Sequence, residues 1–324
     1  MDAPIVTPQD VDEARTRIAG HVRTTPVLRL ERGAFGLPGD IVLKLELLQH
    51  TGSFKPRGAF NKMLSSSVPE AGVIAASGGN FGLAVAHAAR ELGHRAEIFV
   101  PESSPPIKAR RIREAGAEVT LVPGFYDDAQ TALARRAEET GGLVMHPFDQ
   151  PEVVAGQGTI AAELADQVHE VETVLVAIGG GGLIGGIAGW YAGDARVVGV
   201  EPDLCPTMSE ALRVGRPTPV EVGGYAADSL GARRAGDVSF SVCSRYVEHV
   251  ILVPDDAIRD AQRALWERTR VLAEPGGAAA FAALLTGRYR PDPEERVVVV
   301  VCGGNTDGSW LFAAQETDAA SAGR

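Results

Sequence analysis

Short runs of mostly apolar residues recur along this chain and alternate with segments of helical periodicity. Seven runs lie at 41–45, 72–76, 96–100, 119–122, 174–178, 197–200 and 297–301. Apolar residues at helical spacing lie between several of them, at 83–92, 106–115, 126–139 and 257–272. Nearly continuous apolar strands separated by helices are typical of parallel sheets covered on both faces. The sequence therefore predicts an α/β fold with parallel-rich twisted sheets covered by helices.

The charge balance and the cysteines narrow the class of protein. The formal net charge is 31 − 42 = −11, which argues against a nucleic-acid or anionic-membrane partner. The uncharged stretch 174–193 is long enough for a membrane span, but its run of four consecutive glycines favours a strand, a turn and a helix. Cys205, Cys243 and Cys302 form an odd, widely spaced set, which excludes a disulfide framework and fits a cytoplasmic protein.

Few side chains in this sequence could serve as a reactive amine, because arginine does not readily lose its proton. The lysines are Lys44, Lys55, Lys62 and Lys108. Lys55 lies in the segment 52–59, GSFKPRGA, where glycine and proline fix the backbone and Phe54 supplies an aromatic face. A lysine taken alone is most often a surface residue. A partly desolvated amine beside an aromatic ring could instead form a Schiff base near neutral pH.

Two glycine-rich segments lie between a predicted strand and a predicted helix. The segment 76–82 reads ASGGNFG, and 179–186 reads GGGGLIGG. Helix N-termini at such junctions expose unpaired N–H groups that bind anions, and consecutive glycines let the backbone wrap a phosphate. The alternatives are an ordinary capped turn for 76–82 and a close-packed glycine hinge for 179–186.

The same second segment supports a different enzyme class. Gly180, Gly182 and Gly185 match the spacing of the dinucleotide-binding fingerprint, and Glu201 ends the next strand about twenty residues later. A nicotinamide-dependent dehydrogenase is therefore an alternative. It leaves Lys55 and the segment 77–80 without a role.

A fourth segment, 301–305 (VCGGN), also follows a predicted strand. Cys302 is either a small buried hydrophobic residue or a thiol that faces a ligand. Taken together, the segments 53–59, 77–80, 179–182 and 302–305 resemble the fold-type-II pyridoxal-phosphate enzymes. The closest branch is the serine/threonine dehydratase (threonine ammonia-lyase) and serine racemase group, and the similarity extends over most of the chain.

The resemblance implies an organisation and a set of roles. It implies a large pyridoxal-phosphate-binding domain from 1–70 and 151–324, a small mobile domain from 71–150, a homodimer and a small amino-acid substrate. Lys55 would hold the cofactor as a Schiff base and take the Cα proton of the substrate. The implied cofactor-binding residues are Phe54, Lys55, Asn80, Gly179, Gly180, Gly181, Gly182, Leu183, Ser229, Glu274 and Cys302. The implied substrate-binding residues are Ser77, Gly78, Gly79 and Asn80, which would receive the carboxylate.

Cys302 and Gly78 indicate the reaction. The resemblance places Cys302 opposite the pyridine nitrogen, and a thiol is too weak an acid to keep that nitrogen protonated. Expulsion of a β-hydroxyl as Cα–H breaks avoids a long-lived carbanion, so elimination to a 2-oxo acid and ammonia is expected. Racemases carry serine where Gly78 stands, which favours a lyase and leaves a racemase as the alternative.

Two further departures affect the substrate pocket and a cation. Phe81 replaces the usual histidine, which leaves the shape of the substrate pocket open. Relatives bind a divalent cation through a glutamate like Glu201 and an aspartate, but Thr207 stands in place of that aspartate. The threonine weakens the case for a divalent cation, and Glu201 could have a structural role. The sequence does not decide whether the enzyme needs a monovalent cation.

Overall fold

The computed structural model describes residues 5–311, and within them it contains ten strands and twelve α-helices. The strands are β1 (Val27–Arg29), β2 (Asp40–Lys44), β3 (Val73–Ala76), β4 (Ala96–Pro101), β5 (Glu118–Val122), β6 (Leu143–Val144), β7 (Thr173–Ala177), β8 (Arg196–Pro202), β9 (Val247–Val253) and β10 (Arg296–Val300). The helices are α1 (Pro8–Ile18), α2 (Pro56–Leu64), α3 (Asn80–Glu91), α4 (Pro106–Glu114), α5 (Tyr126–Thr140), α6 (Pro151–Gln167), α7 (Gly182–Tyr191), α8 (Thr207–Val214), α9 (Ala227–Leu230), α10 (Asp237–Tyr246), α11 (Asp255–Thr269) and α12 (Pro275–Leu285).

The strands form two sheets, and the predicted fold class is confirmed. One sheet has the order β1-β2-β10-β7-β8-β9, in which only β1 is antiparallel to its neighbour. The other has the order β5-β4-β3-β6 and is parallel throughout. All four strands of this smaller sheet come from residues 73–144. The division into domains at 70 and 150 stays a prediction, and parts of its large domain, 1–4 and 312–324, lie outside the described residues.

The central strands are buried on both faces, which explains their continuous apolar sequence. Every residue of β7 is buried, as are the last four residues of β10. Helices α7 and α12 pack against β7. The structure adds three strands that the sequence did not predict. Of these, β1 and β6 are very short, and the edge strand β9 carries the exposed residues Glu248 and His249, so its apolar pattern is broken.

The uncharged stretch 174–193 forms most of β7, the glycine turn and α7. Among the described residues, no helix is both long enough and apolar enough to cross a membrane.

A buried network of charged side chains fixes the segment around Lys55. Arg57, fully buried in the first turn of α2, donates to Glu46 at 2.8 Å and to Glu163 at 2.7 Å. Lys44, at the end of β2, donates from Nζ to Glu163 Oε2 at 2.7 Å and to the Thr25 carbonyl at 2.9 Å. Two cations therefore face two carboxylates in a place closed to water, and the network joins β2, α2 and α6.

Replacement of Glu163 by glutamine should destabilise the fold strongly. Both Lys44 and Arg57 would lose a counter-charge while remaining buried. Breaking a buried ion pair in this way lowers the free energy of unfolding by about 3–5 kcal/mol. Urea unfolding at pH 7 measures the change. The matched control is Glu294→Gln, which removes an exposed ion pair with Arg32 and should leave the midpoint unchanged. Equal midpoints for the two variants would contradict the proposed importance of the network.

Candidate active site

One large cavity, of about 700 Å³, collects the segments that the sequence singled out. It is lined from the smaller sheet by the turn after β3 and from the larger sheet by the ends of β7 and β10. Among the predicted site residues, those that line it are Phe54, Lys55, Ser77, Gly78, Gly79, Asn80, Gly179, Gly180, Gly181, Gly182, Leu183, Ser229, Glu274 and Cys302. Glu201 does not line it.

Lys55 presents its amine to this cavity from the residue before α2. Its Nζ donates to the Pro147 carbonyl at 3.1 Å and lies 4.9 Å from the Phe54 ring centroid and 5.6 Å from that of Phe81. Burial lowers the pKa of Lys55 to about 8, although Cys302 and Glu274 act in the opposite direction. A substantial neutral fraction near physiological pH is what a nucleophilic or basic amine requires.

The loop that carries the Pro147 carbonyl is held by its own side chains. His146 Nδ1 accepts the Asp149 N–H at 2.9 Å, and the His146 N–H donates to Gln150 Oε1 at 2.9 Å. Burial lowers the pKa of His146, so this imidazole remains neutral and able to accept. The acceptor for the Lys55 amine is therefore fixed independently of Lys55.

The turn 179–182 connects β7 to α7 and requires glycine. Gly181 has φ +95°, a Cβ on Gly180 would lie 2.4 Å from the Phe148 ring, and one on Gly182 would lie 2.8 Å from Phe148 Cβ. No side chain caps the N-terminus of α7. The glycines allow the turn to pack closely against its neighbours, and the N–H groups that begin α7 remain uncapped at the cavity wall. This arrangement binds anions and suits a phosphate.

The turn 77–80 provides a second uncapped helix N-terminus at the same cavity. No side chain caps α3, and the Gly79 N–H donates to Ser77 Oγ at 3.3 Å. A Cβ on Gly78 would lie only 2.6 Å from Ser104 Oγ and 3.2 Å from Val100 Cγ1. A side chain at position 78 would therefore require Ser104 to move, and Ser104 is a cavity residue that the sequence did not indicate.

A carboxyl group is buried beside this turn. Asn80 Nδ2 donates to Glu274 Oε1 at 2.6 Å, and Asn305 Nδ2 donates to Asn80 Oδ1 at 2.9 Å. Burial raises the pKa of Glu274 to about 7, against the lowering effect of the Asn80 hydrogen bond. A Cβ on Gly303 would lie 2.0 Å from Glu274 Oε1, so only glycine allows this approach. Asn305 belongs to the 302–305 segment but was not predicted as a site residue.

Cys302 and Ser229 complete the wall around Gly276. Cys302 Sγ donates to the Gly276 carbonyl at 3.3 Å, and Ser229 Oγ accepts the Gly276 N–H at 3.1 Å. Burial raises the pKa of Cys302 far above its ordinary value, so it is a neutral thiol. The side chain of Cys302, which follows β10, is therefore uncharged.

Glu201 has a structural role. Its carboxylate accepts the Met208 N–H at 2.6 Å and the Ser209 N–H at 2.9 Å, which caps α8. Burial raises the pKa of Glu201 to about 8. Residues 5–311 contain no group of three or more His, Cys, Asp or Glu side chains that could hold a metal ion. The same burial disfavours the dinucleotide alternative, which needs an accessible acid at the end of β8.

Comparison with known proteins identifies the family. The profile of the pyridoxal-phosphate dependent enzymes matches residues 18–303. The chain belongs to this family. The expectation drawn from the four segments is thus confirmed, and pyridoxal phosphate is the cofactor.

Individual relatives agree over nearly the whole chain. It is 38% identical to the L-threonine ammonia-lyase of Thermotoga maritima, over 95% of this chain and 77% of the relative. It is 35% identical to the catabolic L-threonine dehydratase of Escherichia coli, over 94% of each chain. The structure also resembles that of maize serine racemase, with a TM-score of 0.90 and 30% identity over 99% of this chain and 100% of the other.

The cavity predicts which lysine the cofactor modifies. Incubation with pyridoxal phosphate followed by borohydride reduction should label Lys55, at a rate that increases as the pH passes about 8 and the amine loses its proton. Peptide mapping by mass spectrometry identifies the labelled residue. Lys62, which is paired with Glu152 at 3.0 Å outside the cavity, is the internal control. A label spread evenly over Lys55, Lys62 and Lys108 would contradict the assignment.

Proposed function

We propose that this enzyme is a dehydratase that eliminates water and ammonia from L-threonine, L-serine or a related β-hydroxy-amino acid and releases a 2-oxo acid. The observation that carries the proposal is one cavity lined by a desolvated lysine and two uncapped helix N-termini. The relatives named L-threonine ammonia-lyase and L-threonine dehydratase support the reaction class.

The residues present fit the cofactor. Lys55 would hold it covalently, the turn 179–182 with Leu183 would hold its phosphate, and Phe54 would lie against its ring. Asn80, Ser229, Glu274 and Cys302 would surround the ring. When bound, the cofactor withdraws electrons from the substrate α-carbon and so makes its Cα–H bond acidic.

The substrate carboxylate is assigned to the turn 77–80. The first N–H groups of α3 have no side-chain cap, and the positive end of the helix dipole favours a negative group there. Each of the two uncapped helices can thus bind one anion: α7 binds the cofactor phosphate, and α3 binds the substrate carboxylate. That division orients the α-carbon between the turn and Lys55.

Lys55 is the base in this proposal. Its amine has a pKa of about 8 because it is desolvated, so it can accept the Cα proton. Cys302 is a neutral thiol because burial raises its pKa, and it would supply no strong acid to the cofactor ring. Loss of the β-hydroxyl as the Cα–H bond breaks leaves no carbanion to be stabilised, and the released product hydrolyses to the 2-oxo acid and ammonia.

The smaller sheet would close the site. Two ion pairs cross the mouth of the cavity, between Lys108 on α4 and Asp228 on α9 and, at 4.0 Å, between Asp127 on α5 and Arg233. We propose that residues 71–150 move as a small domain and that these pairs form on closure, which excludes water from the reaction.

We also propose that the enzyme acts in the cytoplasm as a homodimer, without nucleic-acid or membrane partners. The net charge of −11 and the three free, buried cysteines support this setting.

The proposed reaction predicts a simple activity. Purified protein with pyridoxal phosphate should be yellow and release 2-oxobutyrate from L-threonine and pyruvate from L-serine, which a 2-oxo acid assay measures. Lys55→Ala should lower kcat at least about 1,000-fold, because it removes both the attachment point and the base. Lys62→Ala, outside the cavity, is the matched control. A colourless protein, or equal activity in the two variants, would overturn the proposal.

The racemase alternative makes a separate prediction at position 78. The natural enzyme should consume L-serine without accumulating D-serine, because Gly78 offers no hydroxyl to protonate the second face. Gly78→Ser alone requires Ser104 Oγ to move, since a Cβ at position 78 would lie 2.6 Å from it, whereas Gly78→Ser with Ser104→Gly removes that contact and should accumulate D-serine. Chiral chromatography of the residual serine distinguishes these results. Accumulation of D-serine by the natural enzyme would support the racemase instead.

A further inference from the structure

Asn305 connects two parts of the site that lie far apart in sequence. Residues 1–324 contain three asparagines, and two of them, Asn80 and Asn305, are hydrogen-bonded to each other. The Asn305 Nδ2 group donates to Asn80 Oδ1 at 2.9 Å and to the Thr51 carbonyl at 2.8 Å. One side-chain amide thus contacts both the turn before Lys55 and the first residue of α3.

The turn before Lys55 has an unfavourable backbone conformation. Thr51 has φ +63°, which is rare for a β-branched residue, and Gly52 has φ +77°. A Cβ on Gly52 would lie 2.7 Å from Asn305 Oδ1, so the Asn305 side chain packs directly on the turn. A strained turn persists only where its surroundings hold it, and the Asn305 hydrogen bond holds its carbonyl.

The chain around this turn is paired with the segment that carries Asn305. The Phe54 N–H donates to the Cys302 carbonyl at 3.1 Å, and the Gly304 N–H donates to the Gly52 carbonyl at 2.9 Å. Ser53 forms an isolated antiparallel bridge with Gly303. The position of Phe54 and Lys55 therefore depends on the 302–305 segment, in which Asn305 supplies the only side-chain hydrogen bond to this turn among the described residues.

Asn305 also fixes which way the Asn80 amide points. Because Asn80 Oδ1 accepts from Asn305, its Nδ2 group must face Glu274, where it donates at 2.6 Å. If the Asn80 amide were flipped, its Nδ2 would face Asn305 Nδ2, and its Oδ1 would face Glu274 Oε1, so both hydrogen bonds would be lost. In the observed orientation, the Nδ2 group of Asn80, which carries a second N–H, would be the group available to donate to the cofactor ring.

We propose that Asn305 is a positioning residue, which fixes the turn that presents Lys55 and the donor orientation of Asn80. The inference rests on the roles proposed above for Lys55 and Asn80. In this proposal the Asn305 amide sets the position of Lys55, to which the cofactor would be attached, relative to Asn80, which would contact the cofactor ring.

The decisive variant is Asn305→Asp, which keeps the size of the side chain, replaces its N–H donors by a carboxyl oxygen and adds a negative charge when it is ionised. Both partners, the Thr51 carbonyl and Asn80 Oδ1, are acceptors, so an aspartate would face two oxygens. We expect the dissociation constant for pyridoxal phosphate to rise at least about 10-fold, the loss typical of two hydrogen bonds. The absorption maximum of the bound cofactor should shift, and kcat should fall with little change in KM.

The matched control is Asn61→Asp. Asn61 is buried and makes two hydrogen bonds outside the cavity, accepting from Arg17 at 2.6 Å and donating to the Glu152 carbonyl at 2.6 Å. This variant should leave the absorption maximum and the cofactor dissociation constant unchanged, even if its melting temperature falls. Asn305→Ala is measured alongside, in case the aspartate variant does not fold, and the same shifts are expected.

A variant of Thr51 separates the effect of the Asn305 hydrogen bond to the Thr51 carbonyl from that of its hydrogen bond to Asn80. Thr51→Gly relieves the strained conformation, so combined with Asn305→Ala it should recover the cofactor affinity but not the absorption maximum, which depends on Asn80. A folded Asn305→Asp or Asn305→Ala protein with the natural absorption maximum and cofactor affinity would overturn the inference. Lys55→Ala identifies the other failure: if it still fixes the cofactor on borohydride reduction, the proposed function fails whatever Asn305 does.

Discussion

The chemistry of this site depends on the desolvation of one amine. Lys55 Nζ lies 4.9 Å from the Phe54 ring centroid and 5.6 Å from that of Phe81, with the Pro147 carbonyl as its hydrogen-bond partner. Burial outweighs the opposing effects of Cys302 and Glu274 in setting its pKa. An amine in water would remain protonated and would be neither a nucleophile nor a base at neutral pH. Arg57, two residues further along, anchors the same helix through buried carboxylates. The fold thus presents a half-buried reactive amine at the cavity wall, with a balanced charge network behind it.

The parallel sheets explain why the remaining groups meet this amine. Strands β3, β7 and β10 all end at the cavity, and a parallel strand is followed at that edge by a turn and a helix N-terminus. Two of the three strand ends carry glycines that leave the helix N–H groups uncapped, at α3 and α7. The third brings Cys302 and Asn305. One topology therefore provides two anion sites, a neutral thiol and an amide around a single lysine.

The parts of the fold that sequence predicts are those with a strong local signal. The buried strands β7 and β10 were predictable because both faces are covered, whereas β9 was missed because Glu248 and His249 break its apolar pattern. In the site, glycine turns and a scarce lysine were visible in the sequence. The Pro147 carbonyl and Ser104 were not, because contacts across distant segments depend on how the two sheets approach each other. The hydrogen bonds that Glu201 accepts from the first turn of α8 were also not visible in the sequence, where this position suggested a cation or a ribose contact.

In the proposed site, Lys55 and the turn after β7 hold the cofactor, and the backbone N–H groups of the turn after β3 stay free for the substrate carboxylate. A crystal structure of the enzyme with pyridoxal phosphate tests this arrangement directly. We expect continuous density from Lys55 Nζ to the cofactor, with the phosphate within hydrogen-bond distance of the backbone N–H groups of residues 180–183. A phosphate bound at residues 77–80, or a cofactor not joined to Lys55, would contradict it.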